Sequence, residues 1–102
     1  MKNLTLNLNQ DTEHKLMKIL AMYSDKDAFF RDVISYQIKR MQNEQINIQA
    51  DLYDFEKKYG ISTKNFYSQY KAGKKGDDED TLIWAGIYEM FLENMQKLSE
   101  IQ

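Results

Sequence analysis

The chain contains no cysteine in its 102 residues. Neither a disulfide framework nor a thiolate metal site can be built from it. It has one histidine, His14, and four glycines. No serine therefore has a histidine-based triad to serve it, and no glycine-rich loop is present to cradle a phosphate. Long apolar runs are missing too: none approaches the ~20 residues of a membrane span, and no apolar leader opens the chain. The expectation is a cytoplasmic protein with no membrane partner, no enzymatic activity, no cofactor and no metal. A surplus of one charge is also absent. Net charge is -2. Residues 1–45 carry seven basic against six acidic side chains, so the remainder holds the acidic excess. Neither half marks a nucleic-acid binder by bulk charge, and any DNA contact must rest on local geometry.

What is present is patterning. Residues 3–8 alternate, with Leu4, Leu6 and Leu8 on one face and Asn3, Thr5 and Asn7 on the other. Period 2 predicts a half-buried strand. No second strand follows, and a lone strand leaves its backbone groups unpaired. Pairing with the same strand of a second copy resolves this, so the pattern predicts a homodimer with Leu4, Leu6 and Leu8 in its core.

Helical spacing takes over behind Asn9, a favourable N-cap. Leu16, Ile19, Leu20 and Tyr23 predict a first helix over about residues 10–22. Neither glycine nor proline occurs between Asp25 and Tyr59. Across that stretch Ile34, Ile38, Met41, Gln45, Ile48, Leu52, Phe55 and Tyr59 recur in steps of four and three. This is a heptad-like seam with one polar member, Gln45. One long helix ending at Gly60, or two helices hinged near Asn43–Asn47, both fit. Ser62 caps a short helix carrying Phe66 and Tyr70, which ends at Gly73. A basic loop, Gly73-Lys74-Lys75-Gly76, leads to Asp77, Asp78, Glu79 and Asp80, which suit a helix start. The last predicted helix spans about residues 79–99. Trp84, Ile87, Phe91, Met95 and Leu98 form its stripe, widened by Leu82, Tyr88 and Leu92, and so broad a face needs something to lie against.

A strand and two helices within the first ~42 residues resemble ribbon-helix-helix proteins of the MetJ/Arc type. The residues carrying the resemblance are Asn3–Leu8, the Leu16–Tyr23 helix and Asp27-Ala28-Phe29-Phe30-Arg31-Asp32-Val33-Ile34. It implies a mostly α ribbon-helix-helix homodimer whose paired strands enter the major groove of operator DNA. Phe30 and Ile34 would join Leu4, Leu6 and Leu8 in the dimer core. Asn3, Thr5 and Asn7 would read bases there. Lys2 and the backbone at Lys26 and Asp27 would hold phosphates. Two features depart from the family: the turn at Met22–Lys26 has no glycine, and Asp25 and Asp27 put negative charge at the phosphate site.

The second half is similar to the tails of prokaryotic antitoxins. The similarity lies in Phe55-Glu56-Lys57-Lys58-Tyr59-Gly60-Ile61-Ser62, Phe66-Tyr67, Gly76-Asp77-Asp78-Glu79-Asp80 and Trp84-Ala85-Gly86-Ile87-Tyr88-Glu89-Met90. It spans about residues 52–98. Ile83 stands where the pattern usually has glutamate, and Gly86 weakens the helix centre. The resemblance implies the antitoxin of a type II toxin–antitoxin module. Residues 1–45 would dimerise and bind operator DNA as a repressor. Residues 46–102 would neutralise a cognate toxin, typically a ribonuclease. Asp77, Asp78 and Asp80 would mimic phosphate on its basic surface, with Trp84, Ile87, Tyr88 and Phe91 as anchors.

Each motif has a plainer reading. The aromatic stripe of the last helix can pack back on Phe55, Tyr59, Phe66 and Tyr70. His14 and Lys74-Lys75 read as solvated. Asp77–Asp80 with Glu89 lacks the central glycine and alternating oxygens of a calcium loop. No polar constellation predicts a small-molecule ligand. The rivals to the antitoxin are a structural homodimer with a helical bundle and no DNA partner, and a stand-alone transcriptional regulator.

Overall fold

A computed structural model describes residues 3–102 of the chain. Four helices follow one another: α1 (Gln10–Leu20), α2 (Lys26–Tyr59), α3 (Thr63–Lys71) and α4 (Glu79–Ile101). Residues 3–9 form no regular structure, and no strand occurs among the described residues. The expected ribbon-helix-helix fold is therefore corrected to an all-helical one. The physical reason lies in what alternation encodes. Leu4, Leu6 and Leu8 specify a face, but an extended segment becomes a strand only when a neighbouring edge takes its N–H and C=O groups. The remaining described residues are helices and turns and offer no such edge.

The chain divides into two compact units, Met1–Tyr36 and Gln37–Gln102, and the division falls inside α2. In the first unit, the Asn9 side chain caps α1 by accepting from Thr12 N at 2.8 Å. Phe29 stands edge-on to both Tyr23 and Phe30, with ring centroids 5.0 Å apart in each pair. Yet α1 buries no residue. Among the described residues of the first unit, the apolar side chains are at best half-buried.

The second unit has a core. α2 is a single helix through Asn43–Asn47, which resolves the two sequence alternatives in favour of the long helix. Its polar seam residue has partners: Gln45 Nε2 donates to the Phe91 carbonyl at 3.0 Å, and Asn94 Nδ2 donates to Gln45 Oε1 and to the Met41 carbonyl at 3.3 Å each. Gly60 ends α2 at φ 63°, its N–H bonded to the Glu56 carbonyl. That left-handed position suits glycine because a Cβ would crowd the backbone there. Ser62 caps α3 and Asp78 caps α4.

Leu52 from α2, Phe66 from α3, and Trp84 and Ala85 from α4 form the buried cluster. Trp84 is 2% exposed. Its indole lies flat against Phe66, with centroids 3.8 Å apart and planes 5° from parallel, and it also stacks on Phe55 and Tyr59. A buried indole needs a partner for its N–H. Trp84 Nε1 donates to Thr63 Oγ1 at 3.0 Å, and Thr63 N donates to Glu56 Oε2 at 2.7 Å. Three helices thus meet at one threonine.

Two substitutions separate packing from hydrogen bonding. Trp84→Ala is expected to cost about 3–5 kcal/mol, the range for emptying an aromatic site. Thr63→Val keeps the shape but orphans the indole N–H, at an expected cost of about 1–3 kcal/mol. Urea unfolding followed by circular dichroism measures both, and equal losses would contradict this division of roles.

Candidate protein-binding site

The residues expected to touch DNA are scattered in character. Asn3, Thr5 and Asn7 are exposed in the irregular segment before α1, so no strand places them on one face. Lys2 lies outside the described residues. Lys26 and Asp27 open α2, but Asp25 Oδ1 accepts from Asp27 N at 3.0 Å and from Ala28 N at 3.3 Å. Of the amides expected to hold a phosphate, that of Asp27 thus bonds to a carboxylate of its own chain. Arg31 in turn pairs with Asp27 at 3.1 Å and Asp25 at 3.9 Å. The expected dimer-core residues Leu4, Leu6, Leu8, Phe30 and Ile34 are all exposed in the single chain.

The acidic run at the start of α4 divides by task. Asp78 accepts from Thr81 N and from Thr81 Oγ1, the latter at 2.6 Å. That hydroxyl hydrogen bond holds its carboxyl below the ordinary value. Asp80 Oδ2 accepts from Lys58 Nζ at 2.8 Å and from the Tyr59 hydroxyl. The Lys58 bond, then the Tyr59 bond, lower the Asp80 pKa, while the same bond to Asp80 raises that of Lys58. Two of the three expected phosphate mimics are thus already engaged within the fold. Asp77 and Glu79 stay exposed.

The expected anchors also divide. Trp84 is the centre of the core, as the plainer reading had it. Ile87, Tyr88 and Phe91 are half-buried and pack against that core. Tyr88 meets Tyr67 of α3 edge-on at 4.9 Å, and burial followed by the Glu89 charge pushes the Tyr67 hydroxyl pKa up.

The apolar residues that α4 leaves open are different ones. Leu82, Ile83 and Met90 are 51%, 43% and 56% exposed. Sequence reasoning ranked Leu82 as a mere widening of the inner stripe and passed over Ile83 and Met90. The signal was available: Ile83, Gly86 and Met90 recur at three and four residues, a second row on the same helix.

Two concavities flank the core. One of about 330 Å³ lies among Tyr59, Ile61, Lys75, Asp78 and Trp84. The other, about 590 Å³, runs along Ile46, Tyr53, Glu56, Tyr88 and Phe91. Among the described residues, no group of three or more metal-binding side chains gathers, and no helix is long and apolar enough to cross a membrane.

Comparisons with protein-family models, curated proteins and solved structures found no match to this chain.

The Lys58–Asp80 contact yields a pH signature. The contribution of Asp80, whose folded pKa is lowered, is complete above its ordinary 3.8 and is lost as pH falls through the lowered value. That of Lys58, whose folded pKa is raised, is complete below 10.5 and is lost as pH rises through the raised value. Between those limits the chain is expected to melt above its Asp80→Asn variant, with the difference closing on acidification. Thermal melts across pH check this. A gap that persisted in strong acid would assign the Asp80 contribution to something other than its charge.

Proposed function

We propose that this chain works by binding another protein, as the inhibitory member of a type II toxin–antitoxin pair. Its C-terminal helices cover the active surface of a toxin and perform no chemistry. The observation that carries this reading is α4 with its approach. Residues 76–96 hold six acidic side chains and no lysine or arginine, while Leu82, Ile83, Met90 and Met95 stay well exposed. An apolar surface with acidic surroundings fits a partner whose own surface is cationic. A ribonuclease that must hold RNA phosphates has such a surface. The spaced motifs over residues 52–98 support the same reading.

Self-association belongs to the proposal for a separate reason. α1 has eleven residues and buries none of them. Isolated helices of that length are marginal in water. Leu4, Met22, Phe30, Ile34 and Tyr36 are exposed in the same unit. A second copy covering these side chains supplies the burial the unit lacks. The contact is one of helical faces, with no paired ribbon. We do not extend the reading to operator DNA, because Asn3, Thr5 and Asn7 share no strand face and the amides of Asp27 and Ala28 bond to Asp25.

The test is co-expression with the product of the adjacent reading frame, followed by affinity capture and sizing. A stoichiometric complex that weakens with added salt is the expected result, and no complex would overturn the toxin reading. The chain alone is expected to sediment as a dimer. The double variant Phe30→Glu, Ile34→Glu is expected to sediment as a monomer that keeps the α4 core. A monomeric native chain would overturn the self-association.

A further inference from the structure

The middle of α4 holds a glycine that the fold does not explain. Glycine is among the poorest helix formers, and it earns a place where φ is positive or where a neighbour leaves no room. Gly86 meets neither condition. Among the described glycines only Gly60 and Gly73 have positive φ. A Cβ built on Gly86 meets no atom within 4 Å. Nothing in its own chain crowds this position.

Its neighbours along the helix are informative. Glu79, Ile83, Gly86, Met90 and Glu93 follow one another in steps of four, three, four and three, so they form one row. Ile83 and Met90 are exposed on either side of the glycine, and Leu82 is exposed beside them. The row is thus apolar in its centre, low at Gly86, acidic at Glu79 and closed at its other end by the Glu93–Lys97 ion pair. A glycine on an open apolar helix face lets another helix approach backbone-close.

We propose that this row, Ile83–Gly86–Met90 with Leu82 beside it and Glu79 and Glu93 at its ends, is where the protein partner docks. The partner presents a cationic amphipathic helix that crosses α4 at Gly86. This rests on the protein-binding reading above and names its surface. Charge selects the occupant. A second copy is disfavoured, because the cation it would bring to Glu79, Lys97, is already paired with its own Glu93. Nucleic acid is disfavoured by the same acids. A lysine-bearing helix places its apolar stripe on Ile83 and Met90 and an unpaired cation near Glu79. Lys97 already pairs with Glu93 at 3.2 Å, so Glu79 is the more open of the two ends.

The experiment uses the full chain and two labelled model helices of about 20 residues, a length at which such peptides hold helical structure. One is built of leucine, alanine and lysine, and the other has glutamate in place of lysine. Fluorescence anisotropy is expected to show binding of the lysine helix only. Gly86→Phe is expected to weaken it at least about tenfold, a difference of about 1.4 kcal/mol. Gln96→Phe, which adds the same ring outside the row, is expected to leave it unchanged. Gly86→Ala serves as the second variant. It is expected to raise the melting temperature and still weaken the peptide, whereas a glycine kept for the fold would lower the melting temperature. Several results would overturn the inference: no binding of the lysine helix by the native chain, binding indifferent to Gly86→Phe, equal loss in Gln96→Phe, or a native dimer that Gly86→Phe splits, which would make a second copy the occupant. A native complex with the adjacent gene product that survives Gly86→Phe sinks this surface alone. Absence of that complex in the native chain sinks the functional reading itself.

Discussion

The second unit depends on one indole. Trp84 brings α4 against α2 and α3 because its two flat faces and its N–H have separate demands, all met by residues of different helices. Phe66 of α3 takes one stacking contact, Phe55 and Tyr59 of α2 take others, and Thr63 accepts the N–H. Stacked aromatic pairs favour particular offsets and distances. An aliphatic core side chain would tolerate sliding of α4, but the indole bonded to Thr63 does not. Thr63 is itself fixed, since it opens α3 and its own N–H is bonded to Glu56. The turn at Gly60–Ser62 thus sits between groups that are both tied down.

A second, weaker lock lies further along the same pair of helices. Gln45 interrupts the apolar seam of α2 at the level of Phe91 and Asn94. A polar side chain in a seam costs stability unless its donors and acceptors are paired, and when paired it specifies register. Here both ends of the Gln45 amide are used. Sliding α4 by one turn would separate Gln45 from Phe91 and Asn94 while leaving the apolar residues partly matched. The seam therefore resists the shift that its apolar members alone would allow.

This difference between periodicity and partnership shows how much was legible in advance. Caps and stops act within a few residues, so Asn9, Ser62, Asp78 and Gly60 announced helix ends that the structure contains. The want of glycine and proline allowed α2 its full length, but the polar stretch at Asn43–Asn47 left a hinge equally open until the partners of Gln45 were placed. The alternation at Leu4, Leu6 and Leu8 misled, because a strand needs a partner that local sequence does not name. The stripe on α4 was visible, but not which way it faces. Trp84, Ile87, Phe91 and Leu98 lie toward the core, while Ile83 and Met90, one-third of a turn away, do not. The positions of Phe55, Tyr59, Phe66 and Thr63 decide between those faces, and all are distant from α4 in sequence.

The acidic run shows the same division at the level of charge. Four consecutive acids at the start of α4 look like a single electrostatic feature, yet they act separately. Asp78 spends its carboxylate on the helix start and Asp80 on Lys58 and Tyr59. A carboxylate already holding an ammonium presents little field beyond it, since the pair's charges cancel at a distance. The open negative charge is that of Asp77, Asp78 and Glu79, at the N-terminal end of α4, since Thr81 bonds to Asp78 without neutralising it. There the positive end of the helix dipole partly offsets it. Long-range attraction from this corner is therefore modest, and the exposed apolar row must supply most of any affinity. In the complex proposed above, charge would set which partner is admitted and in which direction it lies, and contact along Ile83, Gly86 and Met90 would set how tightly it stays.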